Sequence, residues 1–440
     1  MSDQELRIGL LGLGQVGGGV VRILAANQRE IEARLGAPVR VTRALVRDRA
    51  RARAPEARGV ELVTDPKAVV RANDVDVVVE LVGGLEPART FVLEALEEGK
   101  PVVTANKALL AEHGPELFQA AAQAGVDVLF EAAVCGGVPI IRTLREALAS
   151  DRIESVRGIV NGTTNFILSA MEGGGDFAPS LERAQELGFA ESDASFDVSG
   201  KDAAQKLLLL AGLAFGAQVK LADIPTEGID RVESTDFVYA REFGCTVKLL
   251  AVGRLGAGGL LLSVRPTLVP VATPLATIRG AFNAVEVRSF ALGPTLLVGQ
   301  GAGPLPTGTA VVSDIIEAGR SLALKAPGRV PPMAWREGTE GPPLAKAGLR
   351  RGPWYLRFTV ADEPGVLAQI AGALGARGIS IAAVTQPERA VGSGAVPVVV
   401  VTHEAVEERV LEAVAWLDGL AFARGPTRVL PIDREAVSEA

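Results

Sequence analysis

A short apolar segment followed at once by closely spaced glycines places the strongest constraint on how this chain folds. Residues 8–24 read IGLLGLGQVGGGVVRIL, a strand pattern that runs into glycines and continues with apolar residues at helical spacing. Between a strand and a helix, the spacing G-x-G-x-x-G allows a tight turn, close backbone approach to a pyrophosphate and close packing of helix on strand. The segment predicts dinucleotide binding; a glycine-rich turn without a ligand is the alternative.

This turn and the end of the second strand hold the candidate contacts of the dinucleotide. Free N–H groups at a helix N-terminus hold phosphate well. The expected contacts in the turn are Gly12, Leu13, Gly14, Gln15, Val16 and Gly17. The second strand, VRVTRALV, leads to Arg47, where an arginine would accept the 2′-phosphate of NADP and an acid would bind the ribose of NAD. Arg47 favours NADP, NAD stays open because Asp48 follows, and a solvated basic turn is the alternative.

Short Val, Ile and Leu runs alternate with helical segments through the first 130 residues. Such continuously apolar strands, separated by helices, indicate a parallel sheet covered on both faces. The pattern predicts a Rossmann-type, doubly wound α/β domain over residues 1–134, completed by about residues 300–325, with its first helical segment running through VGGGVVRILAANQREIEARL. Longer helices mixed with strands over 135–299 predict an inserted α+β domain.

The last third of the chain changes composition and then becomes periodic again. Residues 326–353 are rich in Pro and Gly without periodicity, which predicts a linker. Residues 354–433 alternate strand and helix patterns in the order β-α-β-β-α-β. This order predicts a ferredoxin-like domain.

Composition excludes several kinds of function. The 45 basic and 52 acidic residues give a net charge of −7 without long blocks of one sign, which argues against nucleic acid and anionic membranes as partners. No apolar run reaches the roughly 18 residues of a spanning helix. Two cysteines allow no disulfide framework and suit a reducing cytoplasm. With two histidines available, acid–base chemistry falls to Lys, Asp, Glu or Tyr.

The segment LGFAESDASFDVSGKDAAQK, residues 187–206, concentrates acids beside a lysine. Asp202 and Lys206 are four residues apart and therefore share one face of a helix that begins near residue 200, while Glu191 and Asp197 precede it. A solvated acidic loop with an ordinary ion pair is the alternative. A second lysine, Lys107, follows the fifth strand, where ligands meet α/β sheets; a solvated lysine at a helix start is its alternative.

These segments together resemble homoserine dehydrogenase, in the bacterial form with a C-terminal ACT domain. The resemblance covers nearly the whole chain and runs through GLLGLGQVGGGVV, VTANK, EAAVCGGVPII, NGTTNFIL, LGFAE…DVSGKDAAQK and GAGPLPTGTAVVSDI. Ala194 stands where relatives usually have Pro, and Phe189 where many have Tyr. The first difference should alter a loop turn, and the second means that no hydroxyl is assigned at position 189.

The resemblance implies NAD(P)-dependent interconversion of L-homoserine and L-aspartate 4-semialdehyde in threonine and methionine biosynthesis. It implies that Lys206 donates and accepts the proton at the reacting oxygen and that Lys107 lies near this oxygen and the cofactor. The implied substrate-binding acids are Glu191, Asp197 and Asp202. The further implied cofactor contacts are Thr104, Lys107, Gly188 and Gly303.

The resemblance also implies a cation site and a regulatory site. A monovalent cation, usually sodium, would be held largely by backbone carbonyls at Glu131, Val134, Gly136 and Val138. The ACT domain would bind threonine as a feedback inhibitor, with Asp362, Gly365 and Gln386 as the matching residues; a dimerising domain that has lost its ligand is the alternative. The middle domain, which combines substrate binding with dimerisation, implies a homodimer or homotetramer.

Two other functions remain open at this point. One is a dehydrogenase that acts on a different amino or hydroxy acid with the same scaffold. The other is a sensor without catalysis, because a dinucleotide fold and an ACT domain would suffice for binding. Lys107 and Lys206 favour an enzyme, since a sensor needs neither of them.

Overall fold

Residues 5–51, 55–335, 341–346, 348–386 and 394–433 are described by the structure, a computed structural model. Two units share the chain. The first comprises Met1–Gly162, Asp202–Ile224 and Ala281–Pro342. The second comprises Thr163–Lys201, Pro225–Gly280 and Pro343–Ala440. The domain boundaries given above stay a prediction.

The regular elements account for most of the described residues. The strands, in chain order, are β1 (Leu6–Leu11), β2 (Val39–Leu45), β3 (Glu61–Val63), β4 (Val77–Glu80), β5 (Val102–Thr104), β6 (Val128–Leu129), β7 (Ile153–Ile159), β8 (Cys245–Gly256), β9 (Gly259–Pro270), β10 (Phe282–Ser289), β11 (Gly293–Gln300), β12 (Arg351–Gly352), β13 (Trp354–Val360), β14 (Ile381–Thr385), β15 (Val396–Thr402), β16 (Ala405–Val406) and β17 (Arg428–Pro431). The helices are α1 (Gln15–Ala26), α2 (Gln28–Leu35), α3 (Lys67–Val70), α4 (Ala88–Glu97), α5 (Lys107–Ala124), α6 (Ile140–Arg142), α7 (Gly162–Glu172), α8 (Phe177–Glu186), α9 (Ser195–Val198), α10 (Lys201–Phe215), α11 (Ser234–Glu242), α12 (Pro304–Leu324), α13 (Val366–Ala376) and α14 (Glu407–Asp418).

Six parallel strands of the first unit form a sheet in the order β3-β2-β1-β4-β5-β6. The central strands are buried on both faces, and every residue of β4 is inaccessible to solvent, as expected for a sheet covered by helices. The strand order reverses between β1 and β4, which opens a crevice at the carboxyl ends of these strands. The predicted doubly wound α/β fold is confirmed.

The core of the first unit lies between this sheet and its helices. It includes Ile8 and Val79 of the sheet and Val311 and Ile315 of α12, all completely buried. A Cβ atom at Gly19 of α1 would lie 1.9 Å from a backbone oxygen at the start of α12, so the two backbones touch there only because the residue is glycine. This contact brings the start of α12 beside the glycine turn.

The rest of the first unit supplies a second layer of structure. Strands β7, β10 and β11 pair antiparallel in the order β7-β10-β11. Helix α10 belongs to this unit from Asp202 onward, and its leucines at positions 207, 209 and 210 are buried. Their packing fixes the orientation of the helix, and with it the face that carries Asp202 and Lys206.

In the second unit, β8 and β9 form a long antiparallel hairpin. Its C-terminal part forms a four-stranded antiparallel sheet in the order β14-β15-β13-β17, with α13 and α14 packed against it. Trp354, Leu356, Phe358 and Ile370 form the centre of this small core. The predicted β-α-β-β-α-β order and its ferredoxin-like sheet are confirmed.

Two local predictions differ from the structure. The first helical segment is interrupted at Asn27, whose φ of −114° and ψ of 26° depart from helical values, and α1 and α2 result. The three-residue strand β3 was not predicted, since it is too short to show a pattern. Across the described ranges, no helix combines the length and the apolar character needed to cross a membrane.

Candidate active site

The glycine turn between β1 and α1 has the geometry that its spacing predicts. Gly12 has a φ of 106°, which strains any residue with a Cβ atom. A Cβ at Gly17 would lie 2.6 Å from the carbonyl oxygen of Gly12, so the helix packs tightly on the turn. At Gly14, which precedes the first residue of α1, a Cβ would meet no atom within 4 Å. The helix N-terminus is therefore open to a ligand.

A cleft lies beside this turn and is lined by three of the predicted dinucleotide contacts, Leu13, Gly14 and Gln15. Its lining also includes Pro304 at the start of α12 and the basic residues Arg22 and Arg51. Gly303, with a φ of 125°, directly precedes Pro304. Arg47 is exposed beyond β2 and lies outside the described lining of the cleft. Positive charge at the cleft thus comes from Arg22 and Arg51, which sequence reasoning missed.

A buried carboxylate organises the loops that follow β4 and β5. Glu80 accepts hydrogen bonds from the backbone N–H groups of Val82 (2.8 Å) and Gly83 (2.9 Å) and from the hydroxyl of Thr104 (2.6 Å). The side chain of Asn106 accepts from the backbone of Leu109 (3.1 Å) and so caps α5. Because these bonds fix the loop, they also fix Lys107, the first residue of α5. Thr104 is completely buried, and its hydroxyl is engaged with Glu80, so its contact with a cofactor stays a prediction.

Three charged side chains converge at the start of α5 and α10. The Asp202 carboxylate lies 3.2 Å from the Lys107 ammonium and 2.7 Å from the Lys206 ammonium. Lys206 also donates to the carbonyl oxygen of Val160 (2.7 Å), and Asn161 donates to Asp202 (2.7 Å). The side chain of Asp202 is 6% exposed, that of Lys206 12% and that of Lys107 31%. We call Lys107, Asp202 and Lys206 the lysine–aspartate cluster.

The electrostatics of this cluster keep the aspartate ionised. Burial by itself would raise the pKa of Asp202, but the ammonium groups of Lys206 and Lys107, with hydrogen bonds from Lys206 and Asn161, lower it to about 2. Near neutral pH the cluster therefore holds a carboxylate shared by two amines. Such an arrangement can bind and orient a polar substrate and exchange a proton with it.

The segment around Glu131 forms a tight buried turn in the first unit. Cys135 and Gly136 have successive positive φ values of 57° and 50°. The Glu131 carboxylate accepts from the backbone of Ile141 (2.9 Å) and Arg142 (2.8 Å). Burial raises the pKa of the Cys135 thiol to about 11, so this side chain is a packed thiol rather than a nucleophile. Among the described residues, no group of three or more His, Cys, Asp or Glu side chains is arranged to hold a metal.

Three further predicted residues lie in the second unit. Gly188 is exposed with a φ of 75°, just after α8. Glu191 is exposed, and its backbone carbonyl accepts from Gln185 (3.1 Å). Asp197 lies in the short helix α9 rather than in an open loop. Their roles in binding cofactor and substrate stay predictions.

The predicted regulatory residues lie in the C-terminal sheet of the second unit. Asp362 and Gly365 follow β13, and Gly365, with a φ of 92°, is the N-cap of α13. Gln386 follows β14 and is exposed. Strands β13 and β14 both pair antiparallel with β15, so they run in the same direction and end at the same edge of the sheet. Their amino-acid-binding role is not tested by this arrangement.

The first unit thus combines an open glycine turn on a doubly wound parallel sheet with a cluster of one carboxylate and two amines. The turn suits a nicotinamide dinucleotide, and the cluster suits proton exchange with a small polar substrate. Together they define the class of protein: a dinucleotide-dependent oxidoreductase.

Comparison with known proteins identifies the family within this class. Residues 12–131 match the family profile described as "Homoserine dehydrogenase, NAD binding domain", residues 139–316 match "Homoserine dehydrogenase" and residues 354–415 match "ACT domain". The homoserine dehydrogenase of Neisseria gonorrhoeae is 43% identical over 434 residues, which cover 98% of this chain and 99% of the relative.

Solved structures agree with the sequence comparison. The crystal structure of a homoserine dehydrogenase from Thiobacillus denitrificans has a TM-score of 0.92 and 43% identity, and the match covers 98% of both chains. A hyperthermophilic archaeal homoserine dehydrogenase in complex with NADPH has a TM-score of 0.62 and 28% identity, and the match covers 74% of this chain and 99% of that one. This chain belongs to the homoserine dehydrogenase family, and the resemblance stated from its motifs is confirmed.

Several residues of the site were not singled out from the sequence. Asn161 and the carbonyl of Val160 hold Asp202 and Lys206, and Glu80 organises the loops before Lys107. Two of them carried a signal: Asn161 begins the motif NGTTNFIL, and Glu80 is an acid at the end of a buried apolar strand. An ionisable residue that ends a buried strand can indicate a polar network at the edge of a parallel sheet.

Proposed function

We propose that this chain interconverts L-homoserine and L-aspartate 4-semialdehyde, reducing the semialdehyde in the biosynthetic direction towards threonine and methionine. The lysine–aspartate cluster is the observation that carries the proposal, because it offers amines and a carboxylate in direct contact. When bound, the nicotinamide dinucleotide supplies or accepts the hydride. The protein must supply the proton, the orientation of the substrate and the exclusion of water.

Lys206 is the proposed proton donor and acceptor. Oxidation of the alcohol requires loss of the hydroxyl proton as hydride leaves carbon, and reduction requires a proton at the carbonyl oxygen. The Lys206 amine suits this task because two acceptors, the Asp202 carboxylate and the Val160 carbonyl, hold it in one position. Lys107 is more exposed and lies where β5 ends, and we assign it to the reacting oxygen and the cofactor.

Acidic side chains are proposed to bind the ammonium group of homoserine. We assign this role to Glu191, Asp197 and Asp202, following the family resemblance. Asp202 also bonds to both lysines in this structure, so it orients the proton-transferring amines as well. Substitution of Asp202 should therefore lower kcat as well as raise KM, since it removes more than substrate binding.

NADP is the proposed cofactor, with NAD as the alternative. The open helix N-terminus at Gly14 fits a pyrophosphate, and Arg22 and Arg51 in the adjoining cleft fit an additional phosphate. The archaeal relative in complex with NADPH supports this choice. Gly188, Gly303 and the backbone of Thr104 are the proposed further contacts.

We also propose a monovalent cation, sodium, at Glu131, Val134, Gly136 and Val138. A Cβ at Gly136 would lie 2.3 Å from the carbonyl oxygen of Gly301, so this oxygen lies close to the turn only because residue 136 is glycine. Both oxygens of the Glu131 carboxylate accept backbone N–H groups, which suits ligation through carbonyls rather than through the carboxylate. These two observations support the proposal of a carbonyl-lined cation site, which follows the family resemblance.

Threonine is the proposed effector of the ACT domain. Asp362, Gly365 and Gln386 lie after β13 and β14, which terminate at one edge of the sheet. The family resemblance implies that an amino acid binds there between paired ACT domains. Following the same resemblance, we propose a homodimer or homotetramer. We place the protein in the cytoplasm, in keeping with its two free cysteines, both buried.

The proposal is tested by removing the Lys206 amine. We expect Lys206→Ala to lower kcat of homoserine oxidation by about a thousandfold, as for loss of a general acid–base group, with little change in NADP affinity. Lys201→Ala is the matched control, because Lys201 is an exposed lysine on the same helix. Stopped-flow absorbance of NADPH, with NADP and NAD compared side by side, measures both quantities. Unchanged turnover in Lys206→Ala would exclude the mechanism.

A further inference from the structure

Two ion pairs join the ACT domain to the rest of the second unit. Arg428 of β17 lies 2.5 Å from Glu227, and Arg265 of β9 lies 2.5 Å from Glu407 at the start of α14. The two pairs have the same N–O distance, but their burial differs: the Glu227 side chain is 38% exposed and that of Glu407 is 9% exposed. They also contact different segments. The pair of Arg428 and Glu227 connects the ACT domain to a segment that packs against the loop before α10.

The buried positive charge of Arg428 is compensated by the carboxylate of Glu227. Its side chain is 9% exposed, and its Nε and Nη2 atoms are buried without a hydrogen-bond partner among the described residues. A buried guanidinium destabilises the fold unless a carboxylate pairs with it. The position of β17 and that of Glu227 are therefore linked through this contact.

Glu227 belongs to the segment 225–229, which lies against the loop before α10. The backbone N–H of Ile229 donates to the carbonyl oxygen of Val198 (2.9 Å). A Cβ at Gly228 would lie 2.3 Å from that same oxygen, so the two backbones are in direct contact. Gly200, with a φ of 81°, packs under Thr226 and ends this loop. Because the contact leaves no free space, a shift of segment 225–229 must displace residues 198–200.

We propose that Glu227 is a positioning residue for the reaction. Through segment 225–229 it transmits the position of ACT strand β17 to the loop that begins α10, and so to Asp202 and Lys206 within the first two turns of that helix. The inference rests on the proposed role of Lys206. It assigns the ACT domain a physical route to the amine that exchanges the proton.

Glu227→Gln tests the inference, with Glu407→Gln as the matched control at the other arginine pair. We expect Glu227→Gln to lower kcat about fivefold with NADP affinity and KM nearly unchanged, as for a residue that couples two sites. Glu407→Gln should change kcat by less than about twofold. Arg428→Gln should lower kcat as much as Glu227→Gln does. The double variant should have a kcat no lower than that of either single variant. Glu227→Asp should have a kcat between those of Glu227→Gln and the wild type.

Hydrogen exchange of the backbone amides of residues 198–206 separates this inference from the proposed function. Faster exchange there in Glu227→Gln, but not in Glu407→Gln, is expected whether or not the wild type oxidises homoserine. Equal exchange and equal kinetics in the two variants would overturn the inference. A wild type without homoserine oxidation would instead overturn the proposed function. If Glu227→Gln does not fold, Arg428→Lys provides the same comparison from the ACT side.

Discussion

Two buried aspartates show how similar clusters of charge serve different ends. Asp202 in the first unit contacts two lysines, and Asp236 in the second unit contacts Arg357 through its Nε atom at 2.8 Å. Both side chains are buried, at 6% and 0% exposure. The lysine–aspartate cluster keeps a partly exposed amine, whereas the side chain of Arg357 is only 10% exposed. The two sites therefore have similar charges, but the basic partner of Asp202 is more accessible to solvent and substrate than the basic partner of Asp236.

The partners also differ in whether they can exchange a proton. Burial would lower the pKa of Arg357, but hydrogen bonding and attraction to Asp236 and Glu233 raise it above its already high value. Burial and the neighbouring Asp236 raise the pKa of Tyr355, whose hydroxyl donates to that carboxylate (3.0 Å). These groups hold their protons at any physiological pH and serve attachment of the ACT domain. Chemistry requires a titratable partner that substrate can reach, which a lysine provides.

Of the two aspartates, Asp202 should have the larger effect on activity when it is replaced with Asn. The change removes the negative charge that two ammonium groups share, so both lysines lose their orientation. We expect kcat of homoserine oxidation to fall about a thousandfold, because the proton-transferring group is affected directly. The measurement is kcat from steady-state kinetics of Asp202→Asn and Asp236→Asn, under conditions in which both variants are folded. A rate for Asp202→Asn within tenfold of the wild type would contradict the prediction.

Replacing Asp236 with Ala should act on stability instead. The change leaves the Arg357 guanidinium buried without its main carboxylate, and breaking such a pair lowers the free energy of unfolding by about 3–5 kcal/mol. Glu233→Ala is the control, because the Glu233 side chain is 60% exposed and its pair with Arg357 is worth less than about 1 kcal/mol. Urea unfolding of the three proteins measures the difference. Equal losses in the two variants would show that burial does not distinguish the pairs.

The smallest expected effect is the acid dependence of the lysine–aspartate cluster. The pKa of Asp202 is lowered to about 2 in the folded protein, so its ionised form stabilises the fold above its ordinary pKa of about 3.9. This contribution, about 2 kcal/mol, is lost as the pH falls from about 4 to about 2. The gap in unfolding free energy between wild type and Asp202→Asn should therefore narrow over this range. Urea titrations at several pH values measure it, and a constant gap would refute the assignment.

Much of the fold could be predicted because its signals are local. The glycine spacing with its flanking strand and helix predicts the first βα unit, and the periodic C-terminal pattern predicts the ferredoxin-like domain. The three-residue strand β3 and the break at Asn27 are also local, but too weak for pattern analysis. Of the site, the contact between Asp202 and Lys206 follows from their spacing on one helix face.

The sequence by itself determined the turn at Gly12, Gly14 and Gly17 and the shared helix face of Asp202 and Lys206, because each depends on residues near one another. It also determined the family to which the chain belongs, because the motifs of that family are recognisable. Only the tertiary structure decided that Lys107 completes the cluster and that Asp236 holds Arg357, since these partners are 95 and 121 residues apart along the chain. Packing of distant elements brings such pairs together, and neither composition nor periodicity encodes which distant side chains will meet.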